Sequence, residues 1–109
     1  MSGSGKTLED ILAILGRYKA ELRKKYHIRK LLIFGSYAES RQTPQSDLDL
    51  IAEFDRVPTL LELVHIEQAL SHLLGVQVDL LTEESISPFI RPYITTVEVS
   101  LDESDTTLS

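Results

Sequence analysis

The sequence of 109 residues contains no cysteine and relatively few basic residues. The absence of cysteine excludes a disulfide framework, a thiolate metal site and a cysteine nucleophile. There are 11 lysines and arginines against 17 aspartates and glutamates, a formal charge of −6 at pH 7. That excess of negative charge disfavours a protein that binds nucleic acid mainly by neutralising phosphates. We therefore expect no direct nucleic-acid partner.

Long apolar runs are also missing. The run at Leu31-Leu32-Ile33-Phe34 is far shorter than the roughly 20 residues of a membrane-spanning helix, and the N-terminus has no apolar signal segment. With 42% hydrophobic and 26% charged residues, the composition is typical of one globular domain. We expect a cytoplasmic protein without a membrane partner.

Two helices are predicted from hydrophobic spacing. Apolar residues recur at helical intervals from Thr7 to about Tyr26, and Asp10 is placed to complete a capping box with Thr7. A second helix is predicted from Thr59 to Leu74, with Gly75 as its C-cap.

Short apolar or alternating segments predict strands. They are 30–34, which ends at a Gly-Ser pair, 47–54 and 76–81. Ser87-Pro88 favours a further helix to about Tyr93, and 97–99 favours a short edge strand. Strands interleaved with helices predict an α/β (α+β) protein with a small sheet.

The segment that follows the first predicted strand has the features of an anion site. Gly35 lets the backbone approach a ligand closely, and Ser36 is expected to open a helix whose free N–H groups suit a phosphate. Further on, Asp47 and Asp49 are two residues apart on a predicted strand. Their side chains then share a face, with Cα atoms about 6.5 to 7 Å apart.

A third carboxylate, Asp79, stands on the last predicted strand between apolar neighbours. If that strand pairs beside the one carrying Asp47 and Asp49, the three carboxylates form a cluster. Oxygen-only ligands of this kind select Mg²⁺ or Mn²⁺. The alternative is that Asp47 belongs to a turn and that Asp49 and Asp79 are solvent-facing residues of half-buried strands.

Taken together, these residues resemble a known family, the minimal nucleotidyltransferases (MNT) of the DNA polymerase β superfamily. The family signature is Gly-Ser, ten residues, then Asp-x-Asp, and Gly35, Ser36, Asp47 and Asp49 match it in identity and spacing. The resemblance extends to Asp79, where the family has its third carboxylate. It implies a small mixed β-sheet flanked by helices, with a nucleotidyltransferase domain at 7–101 between a flexible N-terminus at 1–6 and a flexible tail at 102–109.

The resemblance also implies an activity and partners. It implies transfer of AMP from ATP to a hydroxyl with two Mg²⁺ ions, or Mn²⁺ in their place. Gly35, Ser36 and Arg41 would bind the nucleotide, while Asp47, Asp49 and Asp79 would be the catalytic and metal-binding residues. Many members act as antitoxins of HEPN-domain toxins, some by modifying a toxin tyrosine, so we expect a HEPN-domain partner and a homo- or hetero-oligomer.

The sequence departs from the family pattern directly after the Gly-Ser motif. Most members have Arg-Gly where this chain has Glu39-Ser40, so a carboxylate stands where a basic residue would help to bind phosphates. Arg41 is the candidate to compensate. The departure leaves a second hypothesis open, a binding module that neutralises a toxin by contact after catalysis has lapsed. A third, transfer to a small alcohol, normally requires an additional helical domain.

Overall fold

The computed structural model describes residues 6–43 and 46–101, which form a mixed α/β fold. Within these ranges three helices accompany one four-stranded sheet, and the predicted fold class is confirmed. The elements in chain order are α1 (Leu8–Arg17), α2 (Lys19–Tyr26), β1 (Ile28–Phe34), β2 (Leu48–Phe54), α3 (Leu60–Leu74), β3 (Val78–Thr82) and β4 (Thr96–Ser100), with short 3₁₀ turns at Glu83–Ser85 and Arg91–Tyr93.

The predicted N-terminal helix is two helices, because the chain bends at Tyr18 (φ −102°, ψ 15°). The capping box is present: the Asp10 amide donates to the Thr7 hydroxyl, and the Thr7 amide donates to the Asp10 carboxylate, which lowers the pKa of Asp10. Both Leu15 in α1 and Leu22 in α2 are buried. The apolar stripe therefore continues across the bend, which is why the spacing alone predicted one helix.

The sheet has the strand order β3-β2-β1-β4. Strand β1 is antiparallel to both β2 and β4, whereas β2 and β3 are parallel. Parallel neighbours need a crossover connection, and α3 provides it. The sheet is therefore mixed, and the parallel pair brings the beginnings of β2 and β3 to the same end.

The helices cover one face of the sheet and leave the carboxylates on the other. The buried core joins helix residues to alternate strand residues: Ile11, Leu15, Leu22, Leu31, Ile33, Leu48, Leu50, Ala52, Ile66, Leu70, Leu74, Val78 and Leu80. Because side chains alternate along a strand, Asp49 and Asp79 point away from this core. No helix in the described ranges is long and apolar enough to cross a membrane.

The C-terminal part is less helical than its sequence suggested. The predicted helix from Ser87 to Tyr93 is wrong. A hydrogen-bonded turn at 88–90 and a 3₁₀ turn at Arg91–Tyr93 form instead. Pro92 lies inside the predicted helix, where a proline lacks the N–H that an α-helix needs. The predicted edge strand is present as β4. Of the predicted flexible ends, residues 1–5 and 102–109 lie outside the described residues.

Candidate active site

The backbone at the end of β1 passes directly against the Asp49 carboxylate. Gly35 has φ +75°, a conformation that side chains with a Cβ rarely adopt. A Cβ atom built on Gly35 would lie 2.5 Å from Asp49 Oδ2, which is a steric clash. Glycine is therefore required twice at this position, once by the backbone angle and once by the neighbouring carboxylate.

The segment after Gly35 forms a hydrogen-bonded turn and not the helix expected from Ser36. The Glu39 amide donates to the Gly35 carbonyl (3.1 Å), and the Arg41 amide donates to the Ser36 carbonyl (2.8 Å). The Tyr37 side chain anchors the turn in the core at 1% exposure, and this burial raises the Tyr37 pKa. Within the described part of the chain, the amides of residues 36–38 have no backbone acceptor.

The three predicted carboxylates come together at one end of the sheet. Asp49 on β2 lies directly opposite Asp79 on the parallel strand β3, so the Cα atoms are about 4.8 Å apart. Asp47 directly precedes β2. The prediction that it belongs to this strand is therefore wrong. The Leu48 amide donates to the Gln77 carbonyl (2.8 Å) and fastens the two strand ends together.

The electrostatics of the cluster are concentrated on Asp49. Burial raises the pKa of this half-buried carboxyl, and the negative charges of Asp79 and then Asp47 raise it further. Asp47 and Asp79 themselves are exposed. Like charges held together at one site favour a bound cation, which would relieve their repulsion.

The donor set fits a hard divalent cation in its chemistry, since all three side chains offer carboxylate oxygens. Nevertheless, among residues 6–43 and 46–101 no group of three His, Cys, Asp or Glu side chains is arranged to hold a metal ion. Metal binding therefore requires the carboxylates to turn toward one another. His65 and His72 lie on α3, and His27 caps α2, so the histidines lie outside this cluster.

The two residues that depart from the family pattern shape the far side of the turn. Ser40 has φ +58°, a left-handed conformation that glycine adopts without strain. Glu39 forms an ion pair with Arg41, the predicted phosphate ligand. Because the Arg41 side chain is 72% exposed, this pair is accessible to solvent and a phosphate can compete for the guanidinium.

Two contacts behind the site were not predicted from the sequence. The Ser71 hydroxyl accepts a hydrogen bond from the Val78 amide (2.9 Å), and the Glu67 carboxylate accepts one from the Leu80 amide (2.8 Å). The sequence gives no specific signal for them, because Glu67 and Ser71 are two of several polar residues of α3. These bonds connect α3 to the strand that carries Asp79.

Concave surface also occurs away from the carboxylates. A cavity of about 660 Å³ lies where α2, the end of β2 and the start of α3 meet. Its lining includes Tyr26, Phe54, Arg56, Leu61 and His65, and it shares no residue with the carboxylate cluster.

The family of the chain follows from these features and from its similarity to known proteins. A model of the family described as "Nucleotidyltransferase domain" matches residues 15–97. The chain belongs to this family, and the prediction of a nucleotidyltransferase is confirmed at that level.

The similar proteins include named relatives. A candidate protein adenylyltransferase of Methanocaldococcus jannaschii is 42% identical over 90 residues, which cover 82% of this chain and 92% of the relative. Protein adenylyltransferase MntA of Thermococcus cleftensis is 39% identical over 80 residues, covering 73% of this chain and 81% of the relative. Both alignments cover more than two thirds of each chain.

Solved structures agree with the fold. A candidate minimal nucleotidyltransferase has a TM-score of 0.71 and 31% identity, covering 87% of this chain and 98% of that chain. A chain from the complex of tri-AMPylated Shewanella oneidensis HEPN toxin with MNT antitoxin has a TM-score of 0.60 and 17% identity, covering 89% of this chain and 78% of that chain. The second likeness concerns the fold alone. The predicted resemblance to minimal nucleotidyltransferases is confirmed.

Proposed function

We propose that the chain is a Mg²⁺-dependent nucleotidyltransferase that transfers AMP from ATP to a protein hydroxyl, a tyrosine of a HEPN-domain toxin, and so acts as an antitoxin. The observation that carries the proposal is the pairing of Asp49 with Asp79, beside Asp47 and against the turn that begins at Gly35. Relatives named protein adenylyltransferases support the reaction. The fold shared with a chain of a complex between a HEPN toxin and an MNT antitoxin is consistent with the role.

The turn after β1 is the proposed triphosphate site. Gly35 keeps the backbone close to Asp49, and the amides of residues 36–38 are available to donate hydrogen bonds to phosphate oxygens. Arg41 adds a positive charge once it leaves Glu39. The negative triphosphate and the carboxylates would then lie on either side of the metal positions.

The carboxylates are the proposed metal and acceptor side. Asp47 and Asp49 would hold both ions, and Asp79 would hold one of them and orient the acceptor hydroxyl. When bound, two Mg²⁺ ions supply charge neutralisation and lower the pKa of the attacking hydroxyl. The hydroxyl oxygen forms a bond to the α-phosphorus of ATP. The bond between the α-phosphorus and the oxygen that bridges it to the β-phosphate breaks. Pyrophosphate leaves, and the hydroxyl proton passes to Asp79 or to solvent.

The direct test is transfer of label from α-³²P-ATP to a purified HEPN-domain protein of the same organism. Asp47→Asn and Asp49→Asn keep the side-chain shape but remove a ligand charge, so transfer should fall by orders of magnitude while the circular dichroism spectrum is retained. Glu53→Gln is the matched control, because Glu53 lies on the same face of β2, four residues from Asp49. Equal transfer by wild type and Asp47→Asn contradicts the proposal.

The second candidate function, a binding module with lapsed catalysis, is favoured by one observation. Glu39 forms an ion pair with the Arg41 guanidinium, the group that would otherwise bind a nucleotide phosphate. If the turn binds triphosphate, Glu39→Arg should tighten ATP by about tenfold at low salt, and the gain should shrink as salt rises. Titration calorimetry at both salt concentrations measures it. An ATP affinity below detection in both proteins, with HEPN binding intact, favours the module.

A further inference from the structure

Within the part of the chain that the structure describes, strand β3 lies at the edge of the sheet, where outward-facing N–H groups have no strand partner. Two side chains of α3 accept hydrogen bonds from two of these groups instead. The Ser71 hydroxyl accepts from the Val78 amide at 2.9 Å, and the Glu67 carboxylate accepts from the Leu80 amide at 2.8 Å. Val78 and Leu80 directly precede and follow Asp79, so both neighbours of the carboxylate are fastened to the helix.

The two α3 residues form one unit. Ser71 and Glu67 are one helical turn apart, and the Ser71 hydroxyl donates its proton to the Glu67 carbonyl at 2.9 Å. With its proton engaged there, the Ser71 oxygen is oriented to accept from Val78. Both side chains are partly buried, where a lost hydrogen bond is costlier than in water.

The effect of this unit extends to the other two carboxylates. Backbone groups point alternately to the two sides of a strand. Because the N–H groups of Val78 and Leu80 point outward, the backbone N–H and C=O of Asp79 point toward β2, where Asp79 pairs with Asp49. One residue before β3, the Gln77 carbonyl accepts from Leu48, which stands between Asp47 and Asp49. A shift of β3 would therefore change the distances from Asp79 to Asp49 and to Asp47.

We propose that Glu67 and Ser71 are positioning residues of the carboxylate site, which hold β3 in register so that Asp79 stays opposite Asp49. This inference rests on the proposed function for the role of Asp79. It assigns no contact with metal, nucleotide or acceptor to either residue. They act through the backbone of β3.

The choice of variants follows from the hydrogen bonds. Glu67→Gln keeps a carbonyl oxygen that can accept from Leu80, whereas Glu67→Ala removes the acceptor. Ser71→Ala removes the acceptor for Val78 and serves as an independent variant if Glu67→Ala unfolds. Gln68→Ala is the matched control, because Gln68 is an exposed neighbour on the same helix.

The first measurement is amide hydrogen exchange by NMR. Exchange at Leu80 should accelerate by about tenfold or more in Glu67→Ala, and exchange at Val78 should do so in Ser71→Ala. Glu67→Gln and Gln68→Ala should resemble wild type. Unchanged exchange at Leu80 in Glu67→Ala overturns the inference.

The second measurement is the affinity for Mn²⁺ alone, followed by electron paramagnetic resonance. Groups that orient metal ligands without touching the ion typically change affinity or activity by about 10- to 100-fold, so Mn²⁺ should bind about tenfold more weakly to Glu67→Ala and Ser71→Ala. Glu67→Gln should restore it, which a general loss of helix stability would not explain. Equal Mn²⁺ affinity in wild type, Glu67→Ala and Ser71→Ala overturns the inference.

The third measurement connects the two residues to Asp79. At saturating ATP, Glu67→Ala should lower AMP transfer about tenfold with the KM for ATP within about twofold, and it should add little in an Asp79→Asn background. An equal loss in both backgrounds contradicts action through Asp79. If wild type binds Mn²⁺ but transfers no AMP, the proposed function fails alone, and the Mn²⁺ affinities still decide the positioning inference.

Discussion

At the scale of single residues, the molecule keeps groups that are unfavourable for stability. Asp49 is half-buried, and the negative charges of Asp79 and Asp47 lie near it. Its carboxylate lies so close to Gly35 that a Cβ atom at position 35 would clash with it. Ionised carboxylates in such surroundings cost free energy of folding unless a cation or a proton neutralises them. Strain of this kind is typical of residues that act on a ligand.

The pH dependence of stability should show this cost. The folded-state pKa of Asp49 lies above its ordinary value of 3.8, so ionised Asp49 destabilises the fold at neutral pH, and the penalty disappears as pH falls through the folded pKa toward 3.8. Without divalent ions, Asp49→Asn should melt a few degrees higher than wild type at pH 7 and equally at pH 3.5. Thermal unfolding across this range measures the difference. A variant advantage that grows toward low pH contradicts the assignment.

Gly35 and Gly16 provide a matched pair for a second prediction. Gly35→Ala should cost about 1 to 2 kcal/mol from the left-handed backbone alone, and it should abolish AMP transfer by displacing the Asp49 carboxylate. Gly16 lies in α1, and a Cβ added there would have nothing within 4 Å, so Gly16→Ala should stabilise by about 0.5 to 1 kcal/mol and leave transfer unchanged. Urea unfolding and the transfer assay separate the two. AMP transfer by Gly35→Ala at the wild-type rate would show that the close approach of Gly35 to Asp49 is not required.

At the scale of elements, α3 both covers the core and supports the site. Its inner face contributes Ile66, Leu70 and Leu74 to the core, while Glu67 and Ser71 bind the edge of β3. A capping box closes its N-terminus, and Gly75 at φ +74° ends it three residues before the first residue of β3. The position of β3 therefore depends on where this helix begins and ends.

The capping box of α3 should be measurable as stability. Thr59→Ala removes the oxygen that accepts from the Glu62 amide, and loss of such a cap costs about 1 kcal/mol. Thr95→Ala is the control, since Thr95 is exposed and lies outside helices and strands. The urea midpoint should fall for Thr59→Ala without a change in slope. Equal midpoints for both variants would show that the box contributes nothing.

At the scale of the whole molecule, one face of the sheet forms the core and the other carries the candidate site. One face is packed under α1, α2 and α3, and the other presents the carboxylates at the end where β1 stops and β2 and β3 begin. The turn after β1 and the start of β3 are far apart in sequence, so they meet only in the complete sheet. Ligand binding at this end should therefore stabilise the whole fold.

Ligand linkage gives the matching prediction. ATP with Mg²⁺ at a hundred times the Kd should stabilise wild type by about 2.7 kcal/mol, seen as a higher Tm. ATP with a chelator should produce a much smaller shift, and Asp49→Asn should lose most of the Mg²⁺-dependent shift, whereas Glu53→Gln should keep it. A shift of the same size with and without Mg²⁺ would show that the carboxylates are not involved.

The sequence by itself determined the local features, because their causes are local. Hydrophobic period, caps and turn residues predicted α3, the capping box at Thr7 and the edge strand β4, and the Gly-Ser and Asp-x-Asp spacing predicted the family. Two local predictions were wrong. The bend at Tyr18 divides the N-terminal helix without interrupting the apolar stripe, and Pro92 lies where the predicted C-terminal helix gives way to a 3₁₀ turn.

Only the tertiary structure decided which carboxylates meet and what holds them. Strand order and register depend on packing between segments distant in the chain, and a shift by one residue would turn Asp79 to the opposite face. The parallel register of β2 and β3 places Asp79 opposite Asp49, and the backbone at Gly35 closes against Asp49. The bonds from Glu67 and Ser71 to β3 depend on the same packing, because no local pattern specifies which strand a helix side chain will reach.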